Sequence, residues 1–251
     1  MPQPKLDIAV DDEYELFLAR RRRDIVARLC AAASRAGRDA SEVGMLAVSK
    51  TVEPEAVLRA WRAGWRAFAE NRPQELSRKL AFVEGEALPE MAGARFDAIG
   101  NLQKNKINQV IGKCRLIHSI SSADLARQVS ERAERDGLLV DVLLEANVSG
   151  EQSKSGFSPD ELRAAAEEVC DLPGIRVHGL MTMAPKADPD CARRTFCGLR
   201  ELRDELSSRM GMPLETLSCG MSDDFDIAVE EGSTLVRLGR TVFSPDYVMG
   251  E

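Results

Sequence analysis

The chain has 251 residues, 44% of them hydrophobic and 30% charged, a balance that excludes a disordered or fibrous protein. Lys and Arg number 34 against 41 Asp and Glu, so the net charge of −7 lacks the basic footprint of a nucleic-acid binder and disfavours an anionic membrane surface. No apolar run reaches the roughly 18 residues of a membrane span, and no basic-then-apolar leader opens the chain, so a cytoplasmic protein is expected.

The first predicted element is a helix from about Asp12 to Ala36, with Leu18, Ile25 and Leu29 at helical spacing and Gly37 as its stop. Its run of arginines at 20–23 fans around the axis and reads as solvated surface rather than a phosphate site. Short apolar and β-branched runs then alternate with helical stretches. Strands are predicted at Gly44–Ser49, Arg66–Ala69, Arg95–Ile99, Leu116–Ile120, Val140–Asn147, Arg176–Met183, Glu215–Ser218 and Thr234–Leu238. Helices are predicted to open at Glu53-Pro54, Arg72-Pro73, Leu102, Ser121-Ser122, Ser158-Pro159, Asp188-Pro189 and Ser222-Asp223, several on a Ser, Asp or Pro suited to an N-terminus.

Eight strands and eight helices, at about 30 residues per unit, predict a parallel sheet with right-handed crossovers. The turn after the first strand runs from Ser49 to Pro54 without the glycine fingerprint of an open nucleotide-binding sheet. The reading is therefore an α/β protein, one (β/α)8 TIM barrel with an extra N-terminal helix, forming a single domain over residues 1–251. Six cysteines, none closer than six residues to the next, and two histidines give no metal-ligand spacing; no metal is expected.

A barrel of this kind builds its site from the C-terminal ends of its strands. Lys50 follows the apolar run Met45–Ser49. A lysine at a low-dielectric barrel mouth is easier to deprotonate and can condense with an aldehyde, although a snorkelling strand-end lysine is the plainer reading of the position alone. The segment Ser218–Asp224 brings small residues and Ser222 to the end of strand seven, as an anion cradle or as an ordinary helix cap. Gly239 and Arg240 end strand eight, and the loops after strands seven and eight form the recurrent phosphate site of this barrel class. A Schiff-base lysine opposite a phosphate cradle suggests an aldehyde-bearing phosphate, with pyridoxal phosphate the obvious ligand.

At this point the sequence resembles the pyridoxal-phosphate homeostasis proteins, single-barrel relatives of the alanine racemase N-terminal domain. The likeness runs from about Leu46 to Phe243. It rests on Ala47–Thr51, Glu70-Asn71 with Gln74-Glu75, Ile99–Lys106, Asn147–Ser149 with Lys154–Gly156, Gly179–Pro185, Leu217–Asp224 and Gly232–Gly239. The resemblance implies that Lys50 carries the cofactor as a Schiff base. It implies that Ser222, with backbone groups near Met221, Gly239 and Arg240, holds the phosphate. Arg237 would face the pyridine nitrogen, and Asn71 would lie beside the ring. Ala69, Asp97, Arg240 and Ser244 depart from the residues frequent at those positions.

An arginine cannot accept a pyridinium proton, so Arg237 would weaken the ring as an electron sink. Racemisation also needs a second acid/base, and the two tyrosines, Tyr14 and Tyr247, lie in terminal segments. The expected function is a pyridoxal-phosphate carrier in vitamin B6 and amino-acid homeostasis with no catalytic residue and no robust turnover. The partners expected are the cofactor and apo enzymes that receive it, with the chain a monomer or weak dimer. The alternatives are a PLP-dependent racemase or related enzyme using Lys50 as its base, and a cofactor-free Schiff-base aldolase. Among weaker candidates, Lys104 and Lys106 read as a phosphate lure or a solvated helix start. The loop Ser149–Gly156 reads as a flap or a plain surface loop. His118 and His178 read as satisfied structural residues, and Met181 and Met183 as packing at the pocket rim.

Overall fold

The computed structural model describes residues 13–87, 89–151, 154–185 and 188–249. Eight parallel strands close on themselves in sequence order, from β1 (Gly44–Val48), β2 (Ala67–Glu70), β3 (Arg95–Ala98) and β4 (Ile117–Ile120) to β5 (Val140–Glu145), β6 (Ile175–Met181), β7 (Thr216–Ser218) and β8 (Leu235–Leu238). Closure is made by β8 against β1, with Leu46 opposite Arg237 and Ala47 opposite Leu238. This is a closed (β/α)8 barrel, and every predicted strand lies within two residues of its observed bounds.

Helix α1 (Glu13–Arg35) precedes the barrel and packs on α7 (Phe225–Glu230), α2 (Pro54–Arg62) and α8 (Arg240–Phe243). The predicted opening residue of α1, Asp12, lies outside the described residues. Arg21, from the arginine run, donates to the Tyr247 carbonyl at 2.9 Å and lies over the Phe17 ring, which ties α1 to the C-terminal segment. The other crossovers are α3 (Pro73–Gly85), α4 (Ala123–Arg135), α5 (Pro159–Cys170) and α6 (Pro189–Met210). Ser158 and Glu161 form a reciprocal capping box on α5, and Ser122 caps α4 through Leu125 N–H.

Two helix predictions are corrected. The third crossover is a 3-10 turn at Lys104–Gln109, because its asparagines and β-branched isoleucine are poor helix formers and the segment is short. Helix α7 begins at Phe225 rather than at Ser222, so residues 221–224 form a loop.

The core has two layers. Outward-facing strand residues such as Ala47, Phe68, Phe96, Val142 and Val236 pack under the helices in one large cluster. Inside the barrel, Leu46, Val48 and Ala69 form one small apolar group, and Leu116, Leu143 and Met181 another, with Met183 at its edge. The remaining lumen positions follow from the period of two along each strand. Asp97, His118, Glu145, Ser218 and Arg237 alternate with residues of the outer cluster, are all buried, and give this barrel a polar interior. Among the described residues no helix is long and apolar enough to cross a membrane.

Candidate cofactor site

Strand register assembles the site. Leu46 and Val48 face the lumen, so the same period carries Lys50 to the mouth, where it is exposed. Val48 lies opposite Ala69 on β2, so Asn71 is the neighbouring strand-end residue. On the other side Gly239 sits against Val48, with its α-carbon hydrogen turned toward that side chain. Lys50 therefore stands between Asn71 and the loop after β8. That is the grouping expected from the sequence.

Behind Lys50 the backbone is clamped. Ser49 Oγ donates to Glu70 Oε1 at 2.6 Å, and the wholly buried Lys79 donates to the Ser49 carbonyl at 2.5 Å and to Glu70 Oε1. On the next strand the Gly100 backbone touches the Asn71 carbonyl; a Cβ at Gly100 would lie 1.9 Å from that oxygen. Only glycine fits there, and its own carbonyl is held by Ser119 Oγ at 2.5 Å.

The loops after β7 and β8 meet through side chains. Thr241 N–H donates to Ser222 Oγ at 3.1 Å, which leaves the Ser222 proton for another acceptor. Thr241 Oγ1 is buried and has no partner among the described residues. The Met221 N–H, expected to face a phosphate, donates to Asp224 Oδ1 at 2.6 Å. Arg240 pairs its guanidinium with Asp223 at 2.5 Å and lies over the Tyr247 ring, so its side chain braces the loop. The Tyr247 hydroxyl lies 2.8 Å from the Ser222 carbonyl and 2.7 Å from Asp223 Oδ1, and its single proton is shared between these two acceptors. The sequence offered no signal for this role, because a contact from a terminal segment has no periodicity. Burial, with Asp223 alongside, pushes the Tyr247 phenol up to about 12, so it remains a donor at neutral pH.

Arg237 lies buried on β8. Its NH1 donates to the Ser218 carbonyl at 2.7 Å and to Ser218 Oγ at 2.8 Å, and its NH2 to the Thr182 carbonyl at 3.1 Å. Burial lowers its pKa, with Cys219, Asp224 and Glu145 acting in the opposite direction. Glu145, at the end of β5, has a carboxyl pushed up by burial and only partly drawn back by Arg237. Its Oε2 is buried without a partner among the described residues. Periodicity made Glu145 look like one more alternating strand position, and nothing in the sequence marked it.

The weaker candidates resolve as follows. Lys104 is paired with Asp124. His178 is bound to Asp141 at 2.7 Å near the start of β5, and His118 is buried between Asp97 and Ser218, so both are satisfied. Gln152 and Ser153 of the 149–156 loop lie outside the described residues. The loop's flanks are tied down by Asn147 to the Glu151 carbonyl, by Lys154 to the Met183 carbonyl, and by Asn101 to Ser155. No group of three metal-ligating side chains occurs among the described residues.

The alanine racemase N-terminal domain model matches residues 26–245. Pyridoxal phosphate homeostasis proteins of Aquifex aeolicus and Pseudomonas aeruginosa are each 40% identical over 220 residues, covering 87% of this chain and 94% and 91% of theirs. This chain belongs to the pyridoxal phosphate homeostasis protein family. The crystal structure of PipY from Synechococcus elongatus with PLP bound is 30% identical, with a TM-score of 0.76 over 90% of this chain and all of that one. Alanine racemase of Clostridium difficile, at 14% identity and a TM-score of 0.66 over 59% of its length, shares the barrel fold.

For a homeostasis protein of this family the residues fit a phosphorylated pyridoxal. A free hydroxyl proton at Ser222 and an unpartnered one at Thr241 lie beside a glycine at which the fold needs no hydrogen. A Cβ at Gly239 would meet Val48 only at 3.7 Å, an ordinary van der Waals contact. We therefore expect Gly239→Ala and Ser222→Ala to fold normally yet weaken pyridoxal phosphate by roughly tenfold or more each, while unphosphorylated pyridoxal changes little. Titration of both ligands by absorbance checks this, and equal losses for both would remove the phosphate assignment.

Proposed function

We propose that the chain works as one barrel domain that stores and delivers pyridoxal phosphate in the cytoplasm, without turning over amino acids. The observation that supports the reading is the β8–β1–β2 register, in which β1, leading into Lys50, is paired on one side with the strand leading into Asn71 and on the other with the strand leading into Gly239. When bound, the cofactor supplies an aldehyde that condenses with an amine and a ring that can withdraw electrons. The protein's residues divide the holding of it. Lys50 supplies the amine, Ser222 and Thr241 hydroxyls and the loop at Gly239–Arg240 receive the phosphate, and Arg237 presents N–H donors to the ring nitrogen.

Arg237 also limits chemistry. A guanidinium stays protonated and has no lone pair to take the ring proton, so it keeps the nitrogen neutral and the ring a weak electron sink. The tyrosines and histidines are engaged elsewhere. Tyr14 donates to the Phe243 carbonyl, Tyr247 to the Ser222 loop, and both histidines to carboxylates. The named relatives are homeostasis proteins, consistent with this reading. Apo enzymes that need the cofactor are its receivers, and the chain acts as a monomer or weak dimer.

One observation favours a second reading, a racemase-like catalyst. The buried Glu145 carboxyl has an unpartnered oxygen in the lumen and a raised pKa, the properties of a proton donor. The test is to incubate the loaded protein with L-alanine and other L-amino acids in deuterated water. We expect no sustained α-proton exchange, D-enantiomer or oxo-acid, and efficient restoration of an added apo enzyme. Multiple turnover that disappears in Glu145→Gln would establish the catalytic reading instead.

A further inference from the structure

Across the lumen runs one unbroken row of side chains, from Arg115 on the outer surface to Arg237. Arg115 holds the Asp97 carboxylate with two bonds, Nε to Oδ1 at 3.0 Å and NH2 to Oδ2 at 2.7 Å. His118 Nε2 lies 3.1 Å from Asp97 Oδ2, His118 Nδ1 lies 2.9 Å from Ser218 Oγ, and Arg237 NH1 lies 2.8 Å from that same oxygen. Asp97, His118 and Ser218 are all 0% exposed.

The chemistry of the two ends fixes the direction of every bond. Asp97 can only accept, so His118 must carry its proton on Nε2. Burial holds the His118 pKa below its usual value despite Asp97, with Arg237 and Arg115 acting the same way as burial, so the ring is neutral and Nδ1 is a bare acceptor. The Ser218 hydroxyl must then donate to Nδ1, and its oxygen is left to accept from Arg237. Reversing any member would set two donors or two acceptors face to face.

Such a row is an expensive way to fill a barrel. Lumen positions beside it hold Leu46, Val48, Leu116 and Leu143, and well-packed apolar side chains usually stabilise an interior at least as well as buried charges. What the row does accomplish is to give Arg237 one position and one hydrogen-bonding polarity. We propose that Asp97, His118 and Ser218 are positioning residues for Arg237, and that through it they set the affinity and the electronic state of the bound pyridoxal ring. This rests on the reading of Arg237 given under Proposed function.

The experiment uses the full chain as wild type, Ser218→Ala, Ser218→Thr and Asp97→Ala. Nitrogen-15 NMR of the ligand-free wild type should show His118 as the neutral Nε2–H tautomer, and Ser218→Ala and Asp97→Ala should each perturb it. After loading with pyridoxal phosphate, Ser218→Ala should keep one cofactor per chain on Lys50. Its absorbance and emission maxima should nevertheless shift, and its dissociation constant should rise about 3- to 10-fold. Ser218→Thr, which keeps the hydroxyl, should restore the maxima and the affinity. A purely structural role would lower the melting temperature of Ser218→Ala and leave the spectrum unmoved, and that result overturns the proposal. So does a wild-type His118 protonated on Nδ1. Should Asp97→Ala fail to fold, the Ser218 pair decides the matter alone. A wild type that takes up no pyridoxal phosphate defeats the underlying reading, and the proposal with it.

Discussion

Lys50→Ala should lose the covalent cofactor completely. In the wild type, borohydride treatment of the loaded protein is expected to fix one cofactor on Lys50, found by mass mapping, and the variant should show none. The fold should survive, because Lys50 is exposed at the barrel mouth, and surface substitutions of this sort usually change stability by no more than about 0.5 kcal/mol. The Ser222 and Thr241 hydroxyls proposed to receive the phosphate remain in the variant, so weak reversible binding should persist and be competed by inorganic phosphate. A stoichiometric adduct on another lysine, Lys79 or Lys104 for instance, would show that the anchor is misassigned.

The largest loss of stability is expected from the pair behind that anchor. Lys79 and Glu70 are both buried and joined to each other, and they share Ser49 as a partner. Removing one member of a buried ion pair leaves the other without its countercharge, a change of about 3–5 kcal/mol. Lys79→Ala should therefore shift the urea midpoint strongly to lower denaturant at unchanged slope. Because Lys79 also holds the carbonyl preceding Lys50, the variant should release its cofactor faster even where it remains folded. The double substitution Lys79→Met with Glu70→Leu should recover most of the stability without recovering tight binding. If the double variant is no more stable than Lys79→Ala alone, uncompensated charge is not the cause of the loss.

The strands were legible because each is a short apolar run between turn residues, and the closed order followed from their number. Lys50 and Gly239 stood out as candidates because they follow the apolar runs of β1 and β8, and Ser222 because it sits among small residues just past β7. The polar lumen was not. On a strand with one wet face, Asp97, Glu145 and Arg237 would simply be the solvent-facing half of the alternation. Barrel closure turns that face inward, and no local pattern in the sequence records which of the two cases holds. His118 was anticipated as a satisfied structural residue, yet its partners, Asp97 and Ser218, lie 21 and 100 residues away. Tyr247 and Thr241 act through contacts fixed only when the last loop docks. The Leu102 helix failed for a local reason, since a run with two asparagines competes poorly for helical hydrogen bonds.

Closure of β8 on β1 also bears on how the protein is born. Residue 50 is made well before residues 222, 237 and 241. Until those later segments follow, Lys50 has no closed barrel around it, and the seam that closes the barrel joins segments almost 200 residues apart. Contacts of such long sequence separation form late and slowly. A ligand that bridges the two sides of the seam binds the finished barrel and not its precursors, so it stabilises the closed state by mass action.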